Sequence, residues 1–191
     1  NSTVELSYWF YGLRTAQLWR ERLGLQRDAR WDEVLAKLSK PPVYNGLCVD
    51  SEPFPTPPKR RPAWIEAYGC MRGDEIDQAA MRRAFDTLWA DIKGGAPWRV
   101  WGTDFPMLAL TATRLGQAND AIEALLSNHA RNDYLPNGFN NAGSRPYLPA
   151  SGGLLWAVAM MAAGWEGAPD KHAPGFPDDG SSPSRNTRRH H

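Results

Sequence analysis

Residues 132–165, NDYLPNGFNNAGSRPYLPASGGLLWAVAMMAAGW, decide how this chain is read. The first half has no helical future on its own terms. Pro136, Pro146 and Pro149 remove backbone donors and fix φ. Gly138, Gly143 and the Asn140–Asn141 pair accept positive φ. The second half is the most apolar run in the sequence, with Leu154, Leu155, Trp156, Val158, Met160 and Met161 separated only by Ala and Gly. It predicts a helix over 152–164, apolar on nearly all sides and therefore buried on nearly all sides, with Leu154–Met161 the most buried segment of the chain. A polar, aromatic loop feeding the N-terminus of such a helix suits a binding site. It offers free backbone N–H groups together with amides and rings.

Outward from that stretch, the remaining periodicity is helical. Asn1, Ser2 or Thr3 caps a helix from about Val4 that closes at Gly24, with Leu6, Leu13 and Leu18 inward. Asp28 caps a second helix with Trp31, Val34, Leu35 and Leu38 on one face, stopped by Pro41–Pro42. Residues 43–49, VYNGLCV, read as a short extended piece turned at Asn45–Gly46. The segment SEPFPTPPKRRP at 51–62 is a loop or polyproline stretch. Pro62 opens a short helix that ends at Gly69. Asp74 caps a longer one to Ile92, striped by Ile76, Ala80, Met81, Phe85, Leu88 and Trp89. Thr103 or Asp104 caps the next, with Pro106 tolerated in its first turn and Gly116 at its end. Residues 118–126 pair with it, turning Ile122, Leu125 and Leu126 inward. The last residues, 177–191, are rich in Pro, Gly, Ser and Arg and predict a disordered tail.

Composition narrows the function classes. The formal net charge of +1 gives no electrostatic reason for a nucleic-acid or membrane partner, and the apolar fraction of 42% is that of a soluble globular protein. Nine Trp are many for 191 residues, and Trp is enriched at binding surfaces as well as in cores. Cys48 and Cys70 make neither a disulfide framework nor a metal spacing. His129 and His172 have no partner at helical spacing. Neither a metal nor a cofactor is expected. The sequence opens at NSTVEL without a signal peptide, which raises the expectation of further sequence upstream.

Three helical hairpins and one further helix predict an all-α fold. Short helices with long decorated loops at one end suit part of an α/α toroid, whose full ring needs about twice as many helices as are present. ELSYWFYGLRTAQLWRERLG at 5–24, WGTDFPMLALTATRLGQANDAIEALL at 101–126, and YLPNGFNN with YLPASGGLLWAVAMMAAGW at 134–141 and 147–165 resemble the C-terminal half of a six-hairpin glycosidase. The likeness is nearest the inverting alpha-L-fucosidase type and more distant from the maltose phosphorylase and trehalase type. It implies a partial (α/α)6 toroid over 1–176, acting on glycosidic bonds of oligo- or polysaccharides with inversion. Extracellular location is possible by the same resemblance. It further implies a carbohydrate substrate, with the missing N-terminal half of the toroid, or a second copy, as partner.

Inversion needs a general acid and a second group that activates water, about 6.5–9.5 Å apart. The resemblance places the acid upstream of the segment that ELSYW matches and the base at Leu148–Pro149–Ala150–Ser151, where no carboxylate stands. The fragment is therefore expected to be inactive alone. Asp104 and Glu66 are the carboxylates left to weigh as catalytic, the first against a helix cap and the second against a solvated helix position. Glu5, Glu52 and Asp133 carry no such signal. For substrate binding, Trp98, Trp101, Tyr134 and Tyr147 offer rings to sugar C–H faces. Asn137, Asn140, Asn141 and Ser151 offer hydrogen bonds to hydroxyls. Two other classes stay open. One is a noncatalytic carbohydrate-binding protein; the other is a helical scaffold of the solenoid kind, disfavoured by the lack of a fixed repeat.

Overall fold

The computed structural model describes residues 1–52, 61–143 and 145–178. The expected polyproline stretch falls mostly, and the tail largely, outside these residues. Among them the chain is mainly helical. Its helices are α1 (Thr3–Arg22), α2 (Ala29–Lys37), α3 (Glu66–Gly69), α4 (Gln78–Lys93), α5 (Asp104–Arg114), α6 (Ala118–Leu125) and α7 (Leu148–Ala163). A two-stranded antiparallel ribbon pairs β1 (Val43–Tyr44) with β2 (Leu47–Cys48), and a 3-10 turn at Ala63–Ile65 leads into α3. Asn45 and Gly46 both take positive φ in the two-residue turn, as the Asn–Gly pair predicts.

The centre of the molecule is α5. All ten residues from Asp104 to Thr113 are buried. The helix packs against α6, α7, α3 and the 3-10 turn. Two glycines on its neighbours permit the close approach. A Cβ at Gly69 of α3 would lie 2.6 Å from the Thr111 hydroxyl, and one at Gly153 of α7 would lie 3.1 Å from Pro106. That hydroxyl donates to carbonyl oxygens of Ile65 and Met107, each at 2.9 Å, so a buried polar group is satisfied at the tightest contact.

The expectation that Leu154–Met161 is the most buried segment is corrected. Ala157, Met160 and Met161 face α5, but Leu155, Trp156 and Val158 are exposed, Leu155 by 73%. Among the described residues one face of α7 has a neighbour and the other has none, so an all-round apolar sequence ends half in solvent. The start of α7 is corrected as well. Pro149 sits in the first helical turn, where its missing N–H costs nothing, so the helix opens at Leu148 and takes in Ala150 and Ser151.

Further differences follow from side chains that find other partners. Asp77, not Asp74, caps α4 by accepting from the Ala80 N–H at 2.9 Å. Asp74 pairs instead with Arg14 and Arg72. The second expected hairpin does not form as such, because α4 packs on β2 and α3 packs on α5. Leu18 and Leu126, both expected inward, are exposed. The α1–α2 hairpin holds: Gln17 is fully buried and clasps the backbone of Asp28, donating to its carbonyl at 2.7 Å and accepting from its N–H at 2.9 Å.

Candidate functional site

Three loops and helix ends meet where α5 begins. The WGT segment before α5 carries Trp101 outward while Asp104 turns in. The side chain of Asp104 is 1% exposed and does not cap the helix at Thr103. One oxygen accepts from the Trp101 N–H at 2.7 Å, and the other accepts from Arg61 Nε–H at 3.0 Å. Arg61 also pairs with Glu66, on the first turn of α3. Its guanidinium carbon stands 4.7 Å from the centroid of the Trp101 ring. A single arginine is thus gripped by a buried carboxylate, a half-buried carboxylate and an indole face.

The electrostatics of this cluster are those of a mutually dependent group. Burial pushes the Asp104 carboxyl up to about 6, against the opposing pull of Arg61 and the Trp101 N–H. Burial also works against the charge on Arg61. Asp104 and Glu66 outweigh it and hold the guanidinium above its ordinary range. Arg61 therefore stays a cation in a fixed orientation, with the donors not spent on Asp104 and Glu66 left for a polar ligand.

A cleft of about 540 Å³ opens over the cluster, lined by Tyr8, Arg61, Glu66, Trp101, Tyr147 and Trp156 among others. Two smaller spaces, of about 490 and 220 Å³, adjoin it through Trp101, which lines all three. Trp101 is a half-exposed post shared by the three spaces. Among the described residues, Glu66 is the carboxylate that lines the main cleft. Asp104 lies behind Arg61 and reaches the cleft only through it.

Of the residues singled out from sequence, Trp101, Tyr147, Glu66 and, indirectly, Asp104 come together here. The others hold structure. Trp98 packs on the core and donates its indole N–H to Asp91 at 3.0 Å. The polar side chains singled out in and beside the 132–147 loop are engaged within the fold. Asn140 is fully buried, donating to the Arg131 carbonyl at 3.3 Å and accepting from the Ala142 N–H at 2.9 Å. Asn137 accepts from the Phe139 N–H at 3.1 Å, and Asn141 donates to Asp133 at 2.9 Å. The Tyr134 hydroxyl donates to the Ala150 carbonyl at 3.1 Å, and the Ser151 hydroxyl oxygen accepts from the Asn140 N–H at 3.2 Å. These groups hold the described part of the loop together and are not free hydrogen-bonding arms. Sequence reasoning misses Arg61, Tyr8 and Trp156. Arg61 stands in a segment that reads as a loop or polyproline stretch, Trp156 belongs to a helix that reads as buried, and Tyr8 carries no signal of its own.

No membrane-length apolar helix and no group of three or more potential metal ligands occurs among the described residues. No family model matches the chain, and neither does any curated protein or solved structure.

Proposed function

We propose that this chain is the carbohydrate-binding C-terminal part of an (α/α)6-toroid glycosidase-like domain, with the Arg61–Glu66–Trp101 cleft as its saccharide site. The observation that carries the reading is the cluster itself. A cation fixed between two carboxylates and an aromatic face, at the floor of a cleft walled by Tyr8, Tyr147 and Trp156, supplies what a sugar needs. The rings cover C–H faces, while Arg61 and Glu66 bond hydroxyls. The half-exposed faces of α1 and α7 support the toroid part. They are where further hairpins of a ring would pack.

Binding and hydrolysis separate in this chain. Inversion requires two carboxyl groups facing one sugar. Glu66 lines the cleft but is tied to Arg61, and Asp104 has both oxygens engaged out of ligand reach. Hydrolysis of a glycosidic bond would need a carboxylate that packs onto this cleft from elsewhere. This also favours, as second reading, a noncatalytic saccharide-binding protein. The test is titration of the chain with neutral oligosaccharides, followed by tryptophan fluorescence, beside an aryl-glycoside assay. Saturable binding weakened about tenfold by Trp101→Ala, without turnover, is expected. Absence of binding across the panel, or binding indifferent to Trp101, would overturn the proposal.

A further inference from the structure

We infer that the cavity next to the cleft is an anion subsite, formed by Arg114 and Arg72, for the carboxylate or sulfate group of an acidic saccharide. This rests on the carbohydrate reading of the cleft and narrows its ligand class.

The cavity has a volume of about 270 Å³, and Tyr11, Arg14, Cys70, Arg72, Glu75 and Arg114 are among its walls. Tyr11 and Cys70 also line the main cleft, so the two spaces adjoin beneath α1. On the carbohydrate reading, a saccharide seated in the cleft meets this cavity at Tyr11 and Cys70.

The charges in the cavity are unequally satisfied. Arg14 pairs with Asp74, and Arg72 pairs with both Asp74 and Glu166. Arg114 has no carboxylate partner among the described residues. Its one hydrogen bond among them runs from Nε–H to the Gly69 carbonyl at 3.1 Å. A guanidinium carries five N–H donors, so its outer fork is unspent. Burial, and after it the repulsion of Arg72, holds Arg114 below the ordinary arginine range. A half-buried cation with no carboxylate in hydrogen-bond reach among the described residues is a costly arrangement that an anion relieves. The planar fork matches a carboxylate or sulfate in two parallel hydrogen bonds.

The carboxylates of the same wall limit the charge that the cavity takes. Arg14, Arg72 and Arg114 face Asp74, Glu75 and Glu166, so the formal charge of the wall is zero. That balance suits one acid group flanked by hydroxyls, as on an acidic sugar ring, and disfavours a polyphosphate.

The experiment compares a galacturonate trisaccharide, a sulfated galactose trisaccharide and the neutral galactose trisaccharide by calorimetry at low salt. The wild-type chain, Arg114→Gln and Arg72→Gln are each titrated. An acidic ligand is expected to bind about tenfold more tightly than the neutral one. Arg114→Gln should abolish that advantage and leave neutral binding unchanged. The galacturonate and sulfated arms tell which acid group is taken. Equal affinities in the wild type, or an acidic advantage that survives both substitutions, overturns the subsite. If Arg114→Gln does not fold, Arg72→Gln carries the comparison. If no saccharide binds at all, the cleft reading falls, and inorganic sulfate tests the subsite by itself. A rise in melting temperature at matched ionic strength, larger in the wild type than in both folded variants, supports it. An equal rise overturns it.

Discussion

Asp104 shows how one residue's setting decides its role. In sequence it stands where a helix cap is expected, and its carboxylate in a Trp-Gly-Thr-Asp turn also reads as a catalytic candidate. In the fold it does neither. It is sealed behind Arg61 and sets that side chain's direction. Its carboxyl is raised from 3.8 to about 6, so between those values the folded chain binds the proton and the unfolded chain does not. The contribution of Asp104 to stability therefore falls as pH rises from about 4 to about 6 and levels off above, by on the order of 3 kcal/mol at about 1.4 kcal/mol per unit. Urea midpoints of the wild type and Asp104→Asn, measured across this range, should differ in slope, with the variant flatter. Parallel curves would mean that Asp104 titrates normally. The same substitution removes the anion that orients Arg61, so it should weaken saccharide binding without touching ligand.

At the scale of elements, the sequence is most legible where local chemistry fixes the outcome. Asp28 and Gln17 tie α2 to α1, Asn45–Gly46 turns the ribbon, and the α5–α6 hairpin follows its apolar stripe. What it hides is which faces meet. The composition of α7 suits burial on every side, while its exposure depends on whether a neighbour exists, which no local pattern encodes. Pro149 reads as a breaker and acts as a helix opener. The candidate site is half legible. Trp101 and Tyr147 stand beside helix starts, where a ring reads as a binding group. Arg61 gives no such signal, because its importance lies in contacts with Asp104, more than 40 residues away in sequence. Small residues give this scale a clean contrast. Gly12, in the middle of α1, has open space within 4 Å of where a methyl group would stand, whereas Gly69 has the Thr111 hydroxyl at 2.6 Å. Gly12→Ala should stabilise by about 0.5–1 kcal/mol through helix propensity. Gly69→Ala should cost about 1–3 kcal/mol through overpacking. Denaturant unfolding of both variants checks the pair, and equal signs would contradict the packing described for α5.

For the whole molecule, the notable feature is apolar surface on two helices. Tyr8, Trp9, Leu18 and Trp19 are exposed on α1, Trp9 by 63%, and Leu155, Trp156 and Val158 on α7. Patches of this kind mark sites of association in monomer-sized domains. On the toroid reading Trp9, Leu18, Trp19, Leu155 and Val158, which lie outside the cleft lining, are the flanks of a ring, and in the isolated chain they are expected to be covered by a second copy. Sedimentation at rising concentration should show self-association, reduced by Trp9→Lys with Leu155→Lys. A wild type that stays monomeric throughout the micromolar range would count against the ring. The central claim, a saccharide cleft at Arg61, Glu66 and Trp101, is tested most directly by a crystal structure of the chain with an oligosaccharide bound. A sugar ring is expected to stack on Trp101, with hydroxyls bonded to Arg61 and Glu66. A sugar seated elsewhere, with this cleft empty under saturating ligand, would contradict it.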